Sequence, residues 1–370
     1  MHDFVMNNDI KARLSALART LVNQDEARVL VPPQKNQTGF WFGGGNIVTL
    51  DGAYYIVGRY RNFGDSRTGL GQGERGLELA IFRAETFDGT WEKVKSFSKS
   101  DLDLEGRRVL SIEGASLVDM GDRVELYVST EKEADYPDRV ANYQKPGTGV
   151  WSVDVMSAPS VDKLSADSLR GALASVTPAT LHVKDPVAYP SGEGDVTMIY
   201  CTHPFSWTSS NTGVAVRRQD DDAFRVLTDC LVPRGFVWDV AMTRVTERMP
   251  VPKLGLLKDM PQLALYFYDG GECVRQLDEN PKAVKRPRGY SCEEIGGAAA
   301  GPDGSFGAVE RLSVNQPFFV SPRGTGCSRY TSVLVDRDAV HVAWQQSQDD
   351  LSQPLVGYSL PMDDVEKILS

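Results

Sequence analysis

The chain has 370 residues, room for one large domain or two average ones, and its 41% hydrophobic and 24% charged residues are the balance of an ordinary water-soluble globular protein. A formal net charge of −10 argues against a nucleic-acid partner, because phosphate backbones are held by basic surfaces. No apolar run approaches the ~20 residues that cross a bilayer, no basic-then-apolar leader opens the chain, and Cys201, Cys230, Cys273, Cys292 and Cys327 show no metal-binding spacing; the expectation is free thiols, a cytoplasmic location, no membrane, no metal and no cofactor.

In chain order, residues 7–23 read as a helix, with Ile10, Leu14, Leu17, Ala18 and Leu21 on one face. It is expected to pack on the outside of the main domain. Pro32 and Pro33 then force extended backbone, which suggests a division into an N-terminal helix and linker (1–37) and a main domain (38–370). From about residue 40 to 360 the pattern is strand, turn, strand: β-branched and aromatic runs bounded by Gly, Asp, Asn and Pro. Asp51-Gly52, Asp88-Gly89, Asp269-Gly270 and Asp303-Gly304 read as turn dipeptides. Two exceptions are expected to be helical, residues 161–174 and the C-terminal 362–369. Outer strands are expected at 77–83, 91–97, 149–155, 213–217, 224–227, 289–294, 308–312 and 355–360.

Within this stretch a unit recurs about five times. The clearest copies are SIEGASLVDMGDRVELYVST (111–130), VKDPVAYPSGEGDVTMIYCT (183–202) and SRYTSVLVDRDAVHVAWQQS (328–347), with looser ones beginning at Phe42 and Val237. Glu113 to Val124, Asp185 to Val196 and Arg329 to Val340 are each eleven residues apart. A several-stranded unit repeated every few tens of residues predicts an all-β fold, a five-bladed β-propeller with the N-terminal helix on its outside. The first strand of each blade would line a central channel, so the charged residues that open the copies would converge there.

Glu113, Asp185 and Asp239 occupy that position in three neighbouring copies. Paired carboxylates serve glycoside hydrolysis, one protonating the leaving oxygen and the other activating water or attacking. A carboxyl in a partly dry channel tends to a raised pKa, which suits Glu113 to the acid role. In the first copy the matching position is Gly43, within Gly43-Gly44-Gly45, where either a ligand approaches the backbone or the chain bends tightly; Asn46 beside it could reach a hydroxyl. Arg59, Arg61 and Arg329 suit carboxylate, phosphate or paired sugar hydroxyls. His203 could donate a proton, and Trp207 and Trp238 offer stacking surfaces for sugar rings.

Glu113-Gly114 ahead of a β-hairpin and Lys184-Asp185-Pro186 resemble the acid-bearing strand and the Asp-Pro blade opening of glycoside hydrolase family 43 and its relatives in families 32, 62, 68, 117 and 130. The resemblance implies a five-bladed propeller that cleaves a small oligosaccharide or glycoside, with Glu113 as acid and Asp185 or Asp239 as base. Family 43 carries its base in the first blade, where this chain has glycine. The alternatives are a phosphorylase of the same fold, with Arg59, Arg61, His203 and Arg329 holding phosphate; a metal-assisted lactonase using Glu113, Asp185, Asp239 and Asn46; a sugar-binding propeller without catalysis; and a polysaccharide lyase.

Overall fold

The computed structural model describes residues 6–62, 74–144, 147–205, 209–272 and 294–370. Helix α1 (Asn8–Leu21) begins where the Asn7 side chain accepts from the Ile10 amide at 2.9 Å. Its buried face is the one expected, Ile10, Leu14, Leu17, Ala18 and Leu21. Strand β1 (Arg28–Val31) follows, inside the segment read as linker.

Five antiparallel sheets come next. Blade 1 holds β2 (Trp41–Gly43), β3 (Ile47–Leu50), β4 (Ala53–Asn62), β5 (Glu74–Ala84) and β6 (Glu92–Ser98), with β2 and β3 sharing the inner edge of β4. Blade 2 is β7 (Val109–Asp119), β8 (Val124–Lys132), β9 (Val150–Ala158) and β10 (Arg170–Leu173). Blade 3 is β11 (Lys184–Pro190), β12 (Val196–Thr202), β13 (Asn211–Arg217) and β14 (Arg225–Thr228). Blade 4 is β15 (Met242–Pro250), β16 (Leu263–Gly271), β17 (Ile295–Pro302) and β18 (Glu310–Arg311). Blade 5 runs β19 (Ser328–Val335), β20 (Ala339–Gln346), β21 (Leu355–Pro361), and its outermost strand is β1, paired through Arg28 with Gly357 and Val29 with Val356. Helix α2 (Met362–Leu369) ends the chain and packs on α1, where Arg13 donates to the Ile368 carbonyl at 3.3 Å. The propeller and its outer helix are therefore those expected.

Each gap between neighbouring blades is filled by its own apolar layer. Leu79, Leu117 and Leu126 belong to the layer between blades 1 and 2, Tyr127, Val153 and Met198 to the next, and Ile199, Val245 and Tyr266 to the third. The seam between blades 4 and 5 is the largest, because α1 and α2 add Leu14, Leu17, Val365 and Leu369 to it. Strands sandwiched by such layers are buried on both faces. Every residue of β8, β12 and β16 is buried, which explains their unbroken β-forming runs.

One expectation fails. Residues 161–174 are two short 3-10 turns, Val161–Lys163 and Ala166–Ser168, followed by β10, not a helix. The Ser165 side chain accepts from the Asp167 amide and Ser168 bonds the Ser157 and Ser165 carbonyls, local bonds that compete with helix formation. The strand expected at 289–294 lies outside the described residues except for Glu294.

Candidate functional site

The inner strands share one local device. The pairing of β7 with β8 slips between Ile112 and Ala115, that of β11 with β12 between Lys184 and Val187, that of β15 with β16 between Val245 and Glu247, and that of β19 with β20 between Arg329 and Ser332. Such bulges re-aim side chains and end a ladder locally. Here they bring Glu113-Gly114, Asp185-Pro186, Thr246 and Tyr330 to the propeller axis, where Gly44, Gly45, Gly114, Asp185, Thr246 and Tyr330 line a void of about 20 Å³. Asp185 and Tyr330 sit at φ 52° and 53°, left-handed conformations that cost about 1–3 kcal/mol each in a non-glycine residue. The residue in blade 5 equivalent to Glu113 and Asp185 is thus Tyr330, one place beyond the expected Arg329.

In blade 1 the break between β2 and β3 takes the place of a bulge. Gly44 (φ 75°) is needed because a Cβ there would run into the Arg59 guanidinium. That guanidinium donates to the Gly43 carbonyl at 3.2 Å and to the Tyr330 hydroxyl at 3.1 Å, and lies 3.8 Å from Glu113. The glycine run makes a tight bend with an arginine as its filling, and Gly44 and Gly45 also line the void.

Glu113 and Asp185 meet at the channel. Asp185 Oδ1 accepts from the Gly114 amide at 3.0 Å, while Oδ2 lies 3.4 Å from Arg244 and 4.0 Å from Lys184. Glu113 is more open, with 14% of its side chain exposed, and accepts from Ser111 at 2.9 Å. Burial works to raise its carboxyl, yet Lys184, Arg59 and Arg75 together with the Ser111 bond bring it down to about 2. The raised pKa expected of an acid at this position is therefore corrected: surrounding cations outweigh the dry setting, and Glu113 is ionised.

The neighbourhood is a dense charge network. Arg244 donates to Asp269 at 2.6 Å and to Glu294 at 2.7 Å, and Arg329 donates to Glu294 at 2.6 Å. Asp269 also accepts from the Tyr330 amide at 3.2 Å. Burial raises both carboxyls; two guanidiniums override it at Glu294, which stays well below the usual carboxylate range, while Asp269 is left above it. The Tyr330 ring lies 4.1 Å from the Arg244 guanidinium and 5.1 Å from that of Arg59. Trp41 lies 4.4 Å from both Arg61 and Arg329. Arg75 pairs with the buried Glu131 at 2.5 Å.

Among the residues expected at the site, Glu113, Asp185, Arg59, Arg61 and Arg329 are brought together. Asp239 is not. It lies in the turn before β15 and is fully buried, its Oδ2 accepting from Arg311 and from the Tyr268 hydroxyl, each at 2.8 Å. Trp238 beside it is an anchor as well, donating to the Ser313 carbonyl at 2.8 Å and stacking on Tyr268. Asn46 is taken up by the backbone of the next blade, donating to the Leu117 carbonyl at 2.9 Å and accepting its amide at 2.8 Å. With Asn46 and Asp239 placed elsewhere, the four-ligand metal arrangement does not assemble. His203 is buried against His182; burial first, then Lys184, His182 and Arg244, hold its imidazole well below its ordinary pKa. It is a neutral ring at any ordinary pH. Trp207 lies outside the described residues.

Sequence reasoning missed Arg244, Asp269 and Glu294. Asp269 was hidden in Asp269-Gly270, read as a turn but lying inside β16. Arg244 lies one place ahead of the repeat position of Lys184, which is Val245 in blade 4, so the repeat carries no signal for it.

No family model and no curated protein sequence matches the chain. Solved structures do. A protein described as a glycoside hydrolase superposes with a TM-score of 0.64 at 11% identity, covering 96% of each chain. The β-1,2-mannobiose phosphorylase of Listeria innocua, in complex with β-1,2-mannobiose, gives 0.55 at 13% identity over 92% of this chain and 96% of its own. A GH43_1 enzyme from Xanthomonas citri in complex with xylose gives 0.51 at 12% identity over 94% and 92%. The bulged inner strands, the ring of five blades and these full-length superpositions together give the chain the five-bladed propeller fold of family 43 glycoside hydrolases and related sugar-cleaving enzymes.

Proposed function

We propose that the protein is a glycoside hydrolase acting on a small oligosaccharide or glycoside, with Glu113 and Asp185 as its working carboxylates. The observation that carries this reading is their presentation by adjacent inner strands at the axis, where Asp185 reaches the Gly114 amide and Glu113 remains partly open. An ionised Glu113 suits activation of the attacking water, which moves it from the acid role to the base. Asp185, one strand on, is the other member of the pair. Arg59, Arg244 and Lys184 hold the two carboxylates in place.

The test is hydrolysis of a panel of 4-nitrophenyl glycosides and short oligosaccharides by the wild-type protein, E113Q and D185N. Wild type should cleave at least one, and each variant should lose about 10²–10⁴-fold in kcat, the usual worth of a positioned acid or base. Cleavage by E113Q at the wild-type rate would overturn the reading. Circular dichroism of each variant shows whether it has folded.

A further inference from the structure

Tyr330 touches both arginines that face the two channel carboxylates. It is 7% exposed and holds φ at 53°, as Asp185 holds 52°. A non-glycine residue persists in the left-handed region only where its surroundings fix it. Three groups fix it here. Its amide donates to both carboxylate oxygens of Asp269 at 3.2 Å. Its ring lies 4.1 Å from the Arg244 guanidinium, which stands 3.4 Å from Asp185. Its hydroxyl accepts from Arg59 Nη2 at 3.1 Å. Burial raises the phenol above its ordinary range against the pull of Arg244 and Arg59, so the hydroxyl stays neutral.

The same Arg59 Nη2 lies 3.8 Å from Glu113 Oε2, while Nη1 donates to the Gly43 carbonyl at 3.2 Å. The guanidinium is near enough to favour an ionised Glu113, yet outside the ~2.7–2.9 Å of a charge-assisted hydrogen bond. We propose that Tyr330 is a positioning residue whose hydroxyl holds Arg59 off Glu113, leaving that carboxylate oxygen free to take a proton from water. The inference rests on the reading of Glu113 as the base. An oxygen that accepts a direct guanidinium bond is a weaker base and has less room for the water. One side chain thereby spaces Arg59 from Glu113 and backs Arg244 opposite Asp185.

The test is Y330F, alone and combined with R59Q, assayed on a 4-nitrophenyl glycoside that the wild-type protein cleaves, together with a crystal structure of the single variant. Y330F should lose about 10–10²-fold in kcat with KM within about twofold, because only the reactivity of the base changes. In the crystal, Arg59 should close to about 2.8 Å from Glu113. In the R59Q background Y330F should change kcat by less than about twofold, since the hydroxyl has nothing left to hold. A merely structural role would lower the denaturation midpoint with kcat unchanged, or raise KM alone, and either result overturns the proposal. So do additive effects of the two substitutions, or an Arg59 that keeps its wild-type distance in the crystal. If Y330F does not fold, R59K serves: it keeps the charge but loses the fork that spans Gly43 and Tyr330, so the same kcat-only loss is expected, and an unchanged kcat overturns the proposal. Hydrolysis by E113Q at the wild-type rate, with Arg59 closed on Glu113 in the Y330F crystal, would sink the base assignment alone. Hydrolysis lost in E113Q but kept by Y330F would sink this inference alone.

Discussion

Asp239 and Glu247 show how differently two buried carboxylates can serve one protein. Asp239 fastens the turn that leads into β15, through Arg311 and Tyr268. Replacing it with Asn removes the charge partner of a half-buried arginine, so D239N should cost about 2–4 kcal/mol in urea denaturation while the folded protein keeps its kcat. A loss of kcat without loss of stability would return Asp239 to the catalytic set. Glu247 joins blades 4 and 5: it accepts from Ser332 at 2.8 Å and from the Val333 amide at 3.1 Å. Burial nevertheless raises its carboxyl to about 7, against those bonds. Because the folded pKa lies above the unfolded one, the folded state holds an extra proton between about pH 4.5 and 7. Glu247 therefore favours folding fully below that window, and its contribution is lost as pH rises through about 7. The E247Q variant should flatten this part of the pH–stability curve, removing a slope worth about 3 kcal/mol, as read from denaturant midpoints at pH 5 and pH 8.

At the scale of elements, the bulged inner strand does most to make the site. The repeat showed where Glu113 and Asp185 would converge, because both open a strand whose partner follows after a fixed spacing. It misplaced Asp239, whose Trp238-Asp239 looks like a strand opening although pairing begins at Met242. Nothing local in the sequence marks Arg311 as its partner, 72 positions further on. Asp269 was misread for the opposite reason: Asp-Gly is a strong turn signal, yet here tertiary pairing on both sides overrides it. Burial, and with it the pKa of Glu113, was likewise not written locally, since it depends on cations from blades 1 and 3. The β2–β3 break gives a test at this scale. G44A places a methyl group where the Arg59 guanidinium lies and forces a non-glycine residue to φ 75°. It should destabilise by about 1–3 kcal/mol and lower kcat by releasing Arg59 from Glu113, whereas G52A, at a turn with open space around it, should cost only its backbone strain. Equal losses of activity in the two variants would show that Gly44 has no special tie to the site.

For the whole molecule, the decisive contacts lie between blades. Asn46 ties blade 1 to Leu117 of blade 2, Ser116 ties blade 2 to Ala188 of blade 3, Thr212 reaches the Thr243 carbonyl of blade 4 at 2.7 Å, Glu247 reaches blade 5, and Ser332 accepts the Ile47 amide of blade 1 at 3.1 Å. This closed circuit of polar links near the axis, with an apolar layer behind each, makes unfolding of one blade expose its neighbours. A variant lacking residues 1–33 loses α1 from the largest apolar seam and leaves β21 as an open edge. It should lose cooperative thermal unfolding and aggregate. A soluble, cooperatively melting product of the longer deletion would show that β1 is dispensable.

The pairing of Arg28 with Gly357 has a consequence for how the chain is made. Strand β1 leaves the ribosome ahead of the other blade strands and must wait, without its partner, until the fifth blade has been synthesised. Any message cut short, or any nascent chain stalled in the final blade, would display that orphaned segment and an incomplete apolar seam. Emergence of β21 and sealing of the ring are the same event.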